Sequence, residues 1–61
     1  MQNPILIKDL PFRSKFYTGM DGNVYTRLRP TEHLPDNKAW AINEEFELFC
    51  FELEKIIYHT Y

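Results

Sequence analysis

The sequence predicts one small domain built mainly of β-strands, and three observations carry that prediction. Residues 16–29, FYTGMDGNVYTRLR, set two runs of aromatic and β-branched residues around a turn that contains Gly19 and Gly22. Glycine supplies the positive φ that tight hairpin turns demand. Side chains alternate with period two from Asn23 to Arg29, the mark of a half-buried strand. The composition is also rich in rings, with five Phe, four Tyr and one Trp. Such residues favour a pleated surface, and each can bury roughly 150–250 Å².

Length sets the scale of the problem. A chain of 61 residues is a single domain, 1–61. It buries only about 60% of the surface that its unfolded form exposes. Small scaffolds offset this with disulfides, metals or partner subunits. One cysteine, Cys50, excludes an internal disulfide, and no Cys/His spacing marks a zinc site. Aromatic packing or self-association is left to supply the stability, with no cofactor expected. A hydrophobic content of 44% argues against disorder. No charged n-region precedes an apolar run, and no run approaches the ~20 residues of a membrane span, so a cytoplasmic location is expected.

The elements follow in order. Ile5–Ile7 reads as a short extended segment after Pro4, and KDLPFRS (8–14) as a turn with Leu10 and Phe12 as core anchors beside Pro11. Lys15–Thr18 and Asn23–Arg29 form the hairpin strands around GMDG (19–22). In the second strand Val24, Thr26 and Leu28 are expected inside, and Tyr25, Arg27 and Arg29 outside. Residues 30–37, PTEHLPDN, form a loop. KAWAIN (38–43) is a third strand, with Ala39 and Ala41 on a crowded inner face and Trp40 outward or against the loop. Residues 46–61 admit two readings. Phe46, Leu48 and Cys50 alternate with Glu47, Phe49 and Phe51 as a strand would, with a bend at ELEK before a last strand at Ile56–His59. The alternative is an α+β fold, a short sheet with a C-terminal helix at about 44–59. Phe46, Phe49, Cys50, Leu53, Ile56 and Ile57 would make its apolar stripe and Asn43 its cap.

Read end to end, KDLP, Phe16, a glycine turn, VYTRL and AWAIN resemble the small phage- and prophage-encoded proteins that have an SH3-like β-barrel. In those, a kDLP-x-G-x-x-F opening precedes a hairpin with a V-Y-x-K/R-L strand. Asp9, Leu10, Pro11, Phe16, Gly22, Val24, Tyr25, Arg27, Leu28 and Ala41 match. The similarity spans most of the chain, but its motifs are short and mostly structural. Ser14 stands near a usual turn glycine, and FELEKII lacks the usual proline after Phe51. The resemblance implies a partly open SH3-like barrel of four to five antiparallel strands and a phage-like origin, and it carries no catalytic residue.

The candidate chemistry is thin. Glu44–Glu45 and Glu52/Glu54 are paired carboxylates with no accompanying glycine-rich loop, and read as solvated charge. His33, His59 and Cys50 show no ligand spacing. Cys50 between Phe49 and Phe51 reads as buried and inert. GMDGN lacks the Lys-Ser/Thr of a phosphate loop. These features argue against an enzyme.

Charge is uneven. Residues 1–38 carry six basic and four acidic groups, whereas residues 39–61 carry five Glu and one Lys. A dipolar molecule of this kind can dock a charged partner, or a second copy, through one end. The expected function is that of a phage-type accessory protein that binds a host or phage protein or forms a homodimer. Trp40, Phe49, Phe51, Tyr25 and Arg27 are its expected interface. The alternative is a single-stranded nucleic-acid face of Lys15, Tyr17, Tyr25, Arg27 and Arg29, which the acidic net charge of −2 disfavours.

Overall fold

The computed structural model describes residues 2–19 and 22–60. Its strands are β1 (Gln2–Leu6), β2 (Lys15–Tyr17), β3 (Val24–Arg27), β4 (Ala39–Asn43), β5 (Leu48–Phe51) and β6 (Ile56–Thr60), with one 3-10 turn at Ile7–Asp9. They form a single open antiparallel sheet in the order β1-β6-β2-β3-β4-β5. The mainly-β expectation is met, with six strands because both Gln2–Leu6 and Leu48–Phe51 pair along their length. Met20 and Asp21, expected in the hairpin turn, lie outside the described residues.

The helix considered for 44–59 does not form. Asn43 does act as a cap, its Oδ1 accepting the backbone N–H of Glu45 and Glu47 at 2.9 Å each. However, Phe46 adopts φ 62°. That left-handed residue reverses the chain after one turn and launches β5 back along β4.

The strand order forces the sheet to curl. Strands β2, β3 and β4 lie between β6 and β5, a separation of roughly 19 Å on a flat sheet at about 4.8 Å per strand. Only Glu52–Lys55 connect β5 to β6. Even fully extended, that link reaches at most about 17 Å, and it is shortened further by a turn in which Lys55 N–H donates to Glu52 O at 3.0 Å. The sheet therefore bends until β5 approaches the start of β6. Backbone bonds from Ile7 N–H to Lys55 O (2.9 Å) and from Lys8 N–H to Leu53 O (3.1 Å) tie the 3-10 turn to this link across the concave side.

The core lies on that concave face and consists of Ile7, Leu10, Phe16, Tyr25, Ala39, Ala41 and Ile57. Phe16 stacks on Tyr25 with centroids 5.5 Å apart, and the Phe51 ring meets both edge-on at 5.9 and 5.6 Å. Ala39 and Ala41 stand opposite Phe51 and Phe49 on β5, so small residues make room for rings, as the sequence predicts. Leu10 is a core anchor; Phe12 is not, being 41% exposed.

The facing of β3 is the reverse of the sequence expectation. Tyr25 and Arg27 are buried, and Val24, Thr26 and Leu28 are half-buried on the convex face. The register explains it. Phe16 opposes Tyr25, so the ring that must be covered on β2 brings Tyr25 inside with it.

In the hairpin, Gly19 and Gly22 adopt φ 84° and 73°. They differ in surroundings: a Cβ on Gly19 would sit 2.8 Å from Tyr58 Cε2, whereas one on Gly22 meets nothing within 4 Å. Gly22→Ala is expected to cost only the left-handed backbone penalty of about 1–2 kcal/mol. Gly19→Ala carries the same penalty plus displacement of the Tyr58 ring, so its loss in urea-unfolding free energy should exceed that of Gly22→Ala. Equal losses would show that the ring moves freely.

Candidate functional site

The sheet has two free edges, and they differ chemically. In an antiparallel ladder, residues alternate between directing their backbone groups to one neighbour and to the other side. On β1, Ile7 N–H bonds to Lys55 O, so the odd-numbered residues face β6 and Pro4 and Leu6 face outward. Pro4 has no N–H, which blunts this edge. On β5, Asn43 N–H bonds to Glu47 O, so Glu47, Phe49 and Phe51 address β4. Leu48 and Cys50 then turn their N–H and C=O groups to the free edge. The β3–β4 bond from Leu28 N–H to Trp40 O fixes the same alternation in β4. No proline or lysine interrupts residues 48–51.

Apolar side chains border the same edge. Leu48 is 52% exposed and Phe49 36%, and Cys50 is exposed. Leu48 and Cys50 stand on the convex face opposite Ile42 and Trp40. Phe49 stands on the concave face, edge-on to Tyr25 at 5.4 Å. Phe46 combines a left-handed backbone, where glycine would be easiest to accommodate, with an exposed ring that lines a convex groove with Lys15, Val24, Thr26 and Ile42, away from the free edge. An open groove lined by Lys38, Cys50, Phe51, Glu52, Glu54 and Lys55 marks the other end of the strand.

Carboxylates surround the strand: Glu44, Glu45 and Glu47 precede it, Glu52 and Glu54 follow it, and all are exposed. Glu52 pairs with Lys38. That hydrogen bond, opposed in part by desolvation, raises the Lys38 ammonium above the ordinary lysine value. Lys55 lies 6.0 Å from the Phe51 ring.

The expected interface is only partly assembled. Phe49 and Phe51 share β5. Trp40 is half-buried on the next strand, its Nε1–H donating to Pro35 O at 2.9 Å, so it packs against the loop. Tyr25 and Arg27 are buried and present no surface to a partner. The nucleic-acid face is split for the same reason. Lys15 and Tyr17 stand on the convex side, because Phe16 between them points into the core. Tyr25 and Arg27 are concave, and Arg29 reaches back to Phe12 at 5.9 Å.

Cys50 is exposed rather than buried: its flanking phenylalanines turn concave, so strand alternation turns it convex. His33 stands in the exposed 31–34 turn, 3.4 Å from Glu32, and His59 is half-buried on β6. Among the described residues no group of three metal-ligating side chains gathers, and no helix is long and apolar enough to cross a membrane.

Leu48 and Cys50 are site residues outside the interface expected from the sequence. Alternation about Phe49 and Phe51 points to the convex placement of Leu48 and Cys50. The edge position of β5 has no local signature.

Compared with family models, curated proteins and solved structures, the chain matches none.

Proposed function

We propose that this protein acts without catalysis, by binding another polypeptide as an added strand along β5. In this reading it is an accessory protein of the phage type, and its partner is a protein. One observation carries the reading: β1 is blunted by Pro4, whereas β5 offers the outward backbone groups of Leu48 and Cys50 with the exposed side chains of Leu48 and Phe49 beside them. Unprotected edges template strand pairing, and strand addition is an established mode of peptide recognition. The exposed side chains of an edge strand then supply contacts on both faces of the sheet. A nucleic-acid role has less support, because its five residues lie on two faces.

The test uses the Leu48 and Cys50 amides. A neutral, capped peptide with an alternating Val-Thr core and Gln ends is titrated into the ¹⁵N-labelled protein, and the protein alone is followed across a dilution series. Slowed hydrogen exchange at Leu48 and Cys50 with added peptide, or with rising protein concentration, is the expected result. Leu48→Pro should abolish it while leaving the fold intact, since the Leu48 N–H makes no bond within the sheet; Phe49→Pro should instead break the β4 ladder. Unchanged exchange at both amides with this peptide, with versions carrying lysine or glutamate ends, and with rising protein concentration overturns the proposal.

A further inference from the structure

The occupant of β5 can be specified by charge, an inference that rests on the strand-addition reading. Residues 44–54 contain five glutamates and no lysine or arginine. The four apolar residues of β5 sit in the middle of this segment, so carboxylates flank the edge at both ends: Glu44, Glu45 and Glu47 at one, Glu52 and Glu54 at the other. The cations near it are Lys38, already bonded to Glu52, Lys55, held near the Phe51 ring, and Lys15, which shares a convex groove with Glu44 but stands three strands away from the free edge.

A second copy fits this edge poorly. Two β5 strands pairing antiparallel are related by a two-fold axis perpendicular to the sheet, so convex residues meet convex residues. The register that uses all the outward groups centres on Phe49 and sets Leu48 against Cys50 of the other copy. It also places Glu44, Glu45 and Glu47 of one copy beside Glu52 and Glu54 of the other, at both ends of the seam. Like charges brought together oppose association. A strand carrying lysine or arginine at its own ends meets carboxylates at both ends of β5 instead.

We infer that β5 receives an extended segment of a different protein: about four residues with apolar side chains on at least one face, flanked on both sides by lysine or arginine. The backbone groups of Leu48 and Cys50 hold the central residues. Leu48 covers apolar side chains on the convex face and Phe49 those on the concave face, and the two glutamate clusters select the basic flanks.

Three capped peptides share the core Val-Thr-Val-Thr-Val and carry Lys-Lys, Gln-Gln or Glu-Glu at both ends. Binding to the whole protein is read from the fluorescence of Trp40, the single tryptophan, which stands opposite Cys50, and from the Leu48 and Cys50 amide shifts. The lysine peptide is expected to bind at least ten-fold tighter than the glutamine peptide, and the glutamate peptide weakest. The lysine advantage should shrink as salt rises from 50 to 300 mM, and Glu45→Gln/Glu47→Gln/Glu54→Gln should remove most of it without unfolding the protein. Equal affinities for the three peptides would overturn the inference and leave strand addition standing. Concentration-dependent pairing of β5 with itself, without lysine-peptide binding, would assign the edge to a second copy and overturn it as well. If neither peptide nor self-pairing engages Leu48 and Cys50, the strand-addition reading falls and the inference with it.

Discussion

Phe16→Ala is expected to leave the chain without a cooperative unfolding transition at room temperature. Phe16 is fully buried at the centre of β2. Its ring stacks on Tyr25 at an interplanar angle of 23° and receives the edge of Phe51 at 79°. It thus joins β2, β3 and β5 across the concave face. Truncating a buried Phe to Ala costs about 3–5 kcal/mol, and cores of domains this small rarely supply more than about 3–5 kcal/mol in total. The substitution therefore removes most or all of the margin. Near-ultraviolet circular dichroism and urea titration provide the measurement. Phe16→Leu keeps most of the volume and should retain a transition at lower urea. A Phe16→Ala protein that unfolds cooperatively with a loss below about 1 kcal/mol, a small value for a core truncation, would remove Phe16 from the centre of the fold.

The second large effect is expected at Arg27. Its side chain is 7% exposed on the concave face. One guanidinium nitrogen donates to the backbone carbonyl of Leu10 and, at 3.4 Å, to that of Lys8. Phe12 lies 4.6 Å from the guanidinium carbon. No carboxylate partners it among the described residues, and its Nε is buried without an acceptor. Burial lowers its pKa from the ordinary arginine value, but an arginine remains charged at neutral pH. The charge is compensated by carbonyl dipoles at the end of the 3-10 turn and by the face of a ring. Arg27 thereby fastens the 3-10 turn to β3.

Removing it leaves the Leu10 carbonyl without its donor and a space beneath Phe12. Arg27→Ala is expected to cost about 2–4 kcal/mol, combining an orphaned acceptor with a cavity. Arg27→Met restores volume without a donor, and should lose less. Arg27→Lys keeps a donor but not the planar fork, and should lose least. Arg27→Glu would turn a carboxylate toward carbonyl oxygens and should not fold. Because the side chain is buried, the order should persist at high salt, where an exposed ion pair would be screened. Urea titrations of the four variants at 0.05 and 1 M NaCl check it. If Arg27→Met matched or exceeded the parent protein, the guanidinium bonds would contribute nothing net to stability.

These two residues also show where sequence reading stops. Phe16 reads in the sequence only as a ring in a short strand before a glycine turn; the core anchors expected there are Leu10, which is buried, and Phe12, which is not. Arg27 is misleading, because the alternation in β3 defines two sets of side chains without saying which set is covered. Val24, Thr26 and Leu28 look the more apolar. Tyr25 and Arg27 win the interior because Tyr25 meets Phe16 across the hairpin and Arg27 finds acceptors in a turn 17 residues away. Asn43 is an intermediate case. Its capping capacity is visible in the sequence, but whether the capped turn continues as a helix depended on the backbone of Phe46. Cys50 was readable in principle, since two inward phenylalanines on a strand require an outward residue between them.

What the sequence determines by itself is local: four extended segments between residues 5 and 43, a glycine hairpin, small residues on one face of β4 and an acidic final third. Period-two alternation, turn chemistry and charge each act over a few residues and can be read from them. The tertiary structure alone decides that Pro4 blunts one edge of the sheet and that Leu48–Phe51 becomes the other. Edge position depends on which strands find partners across long stretches of chain. In this fold a four-residue link too short to cross a flat sheet bends the strands into a curve and leaves β5 with one neighbour.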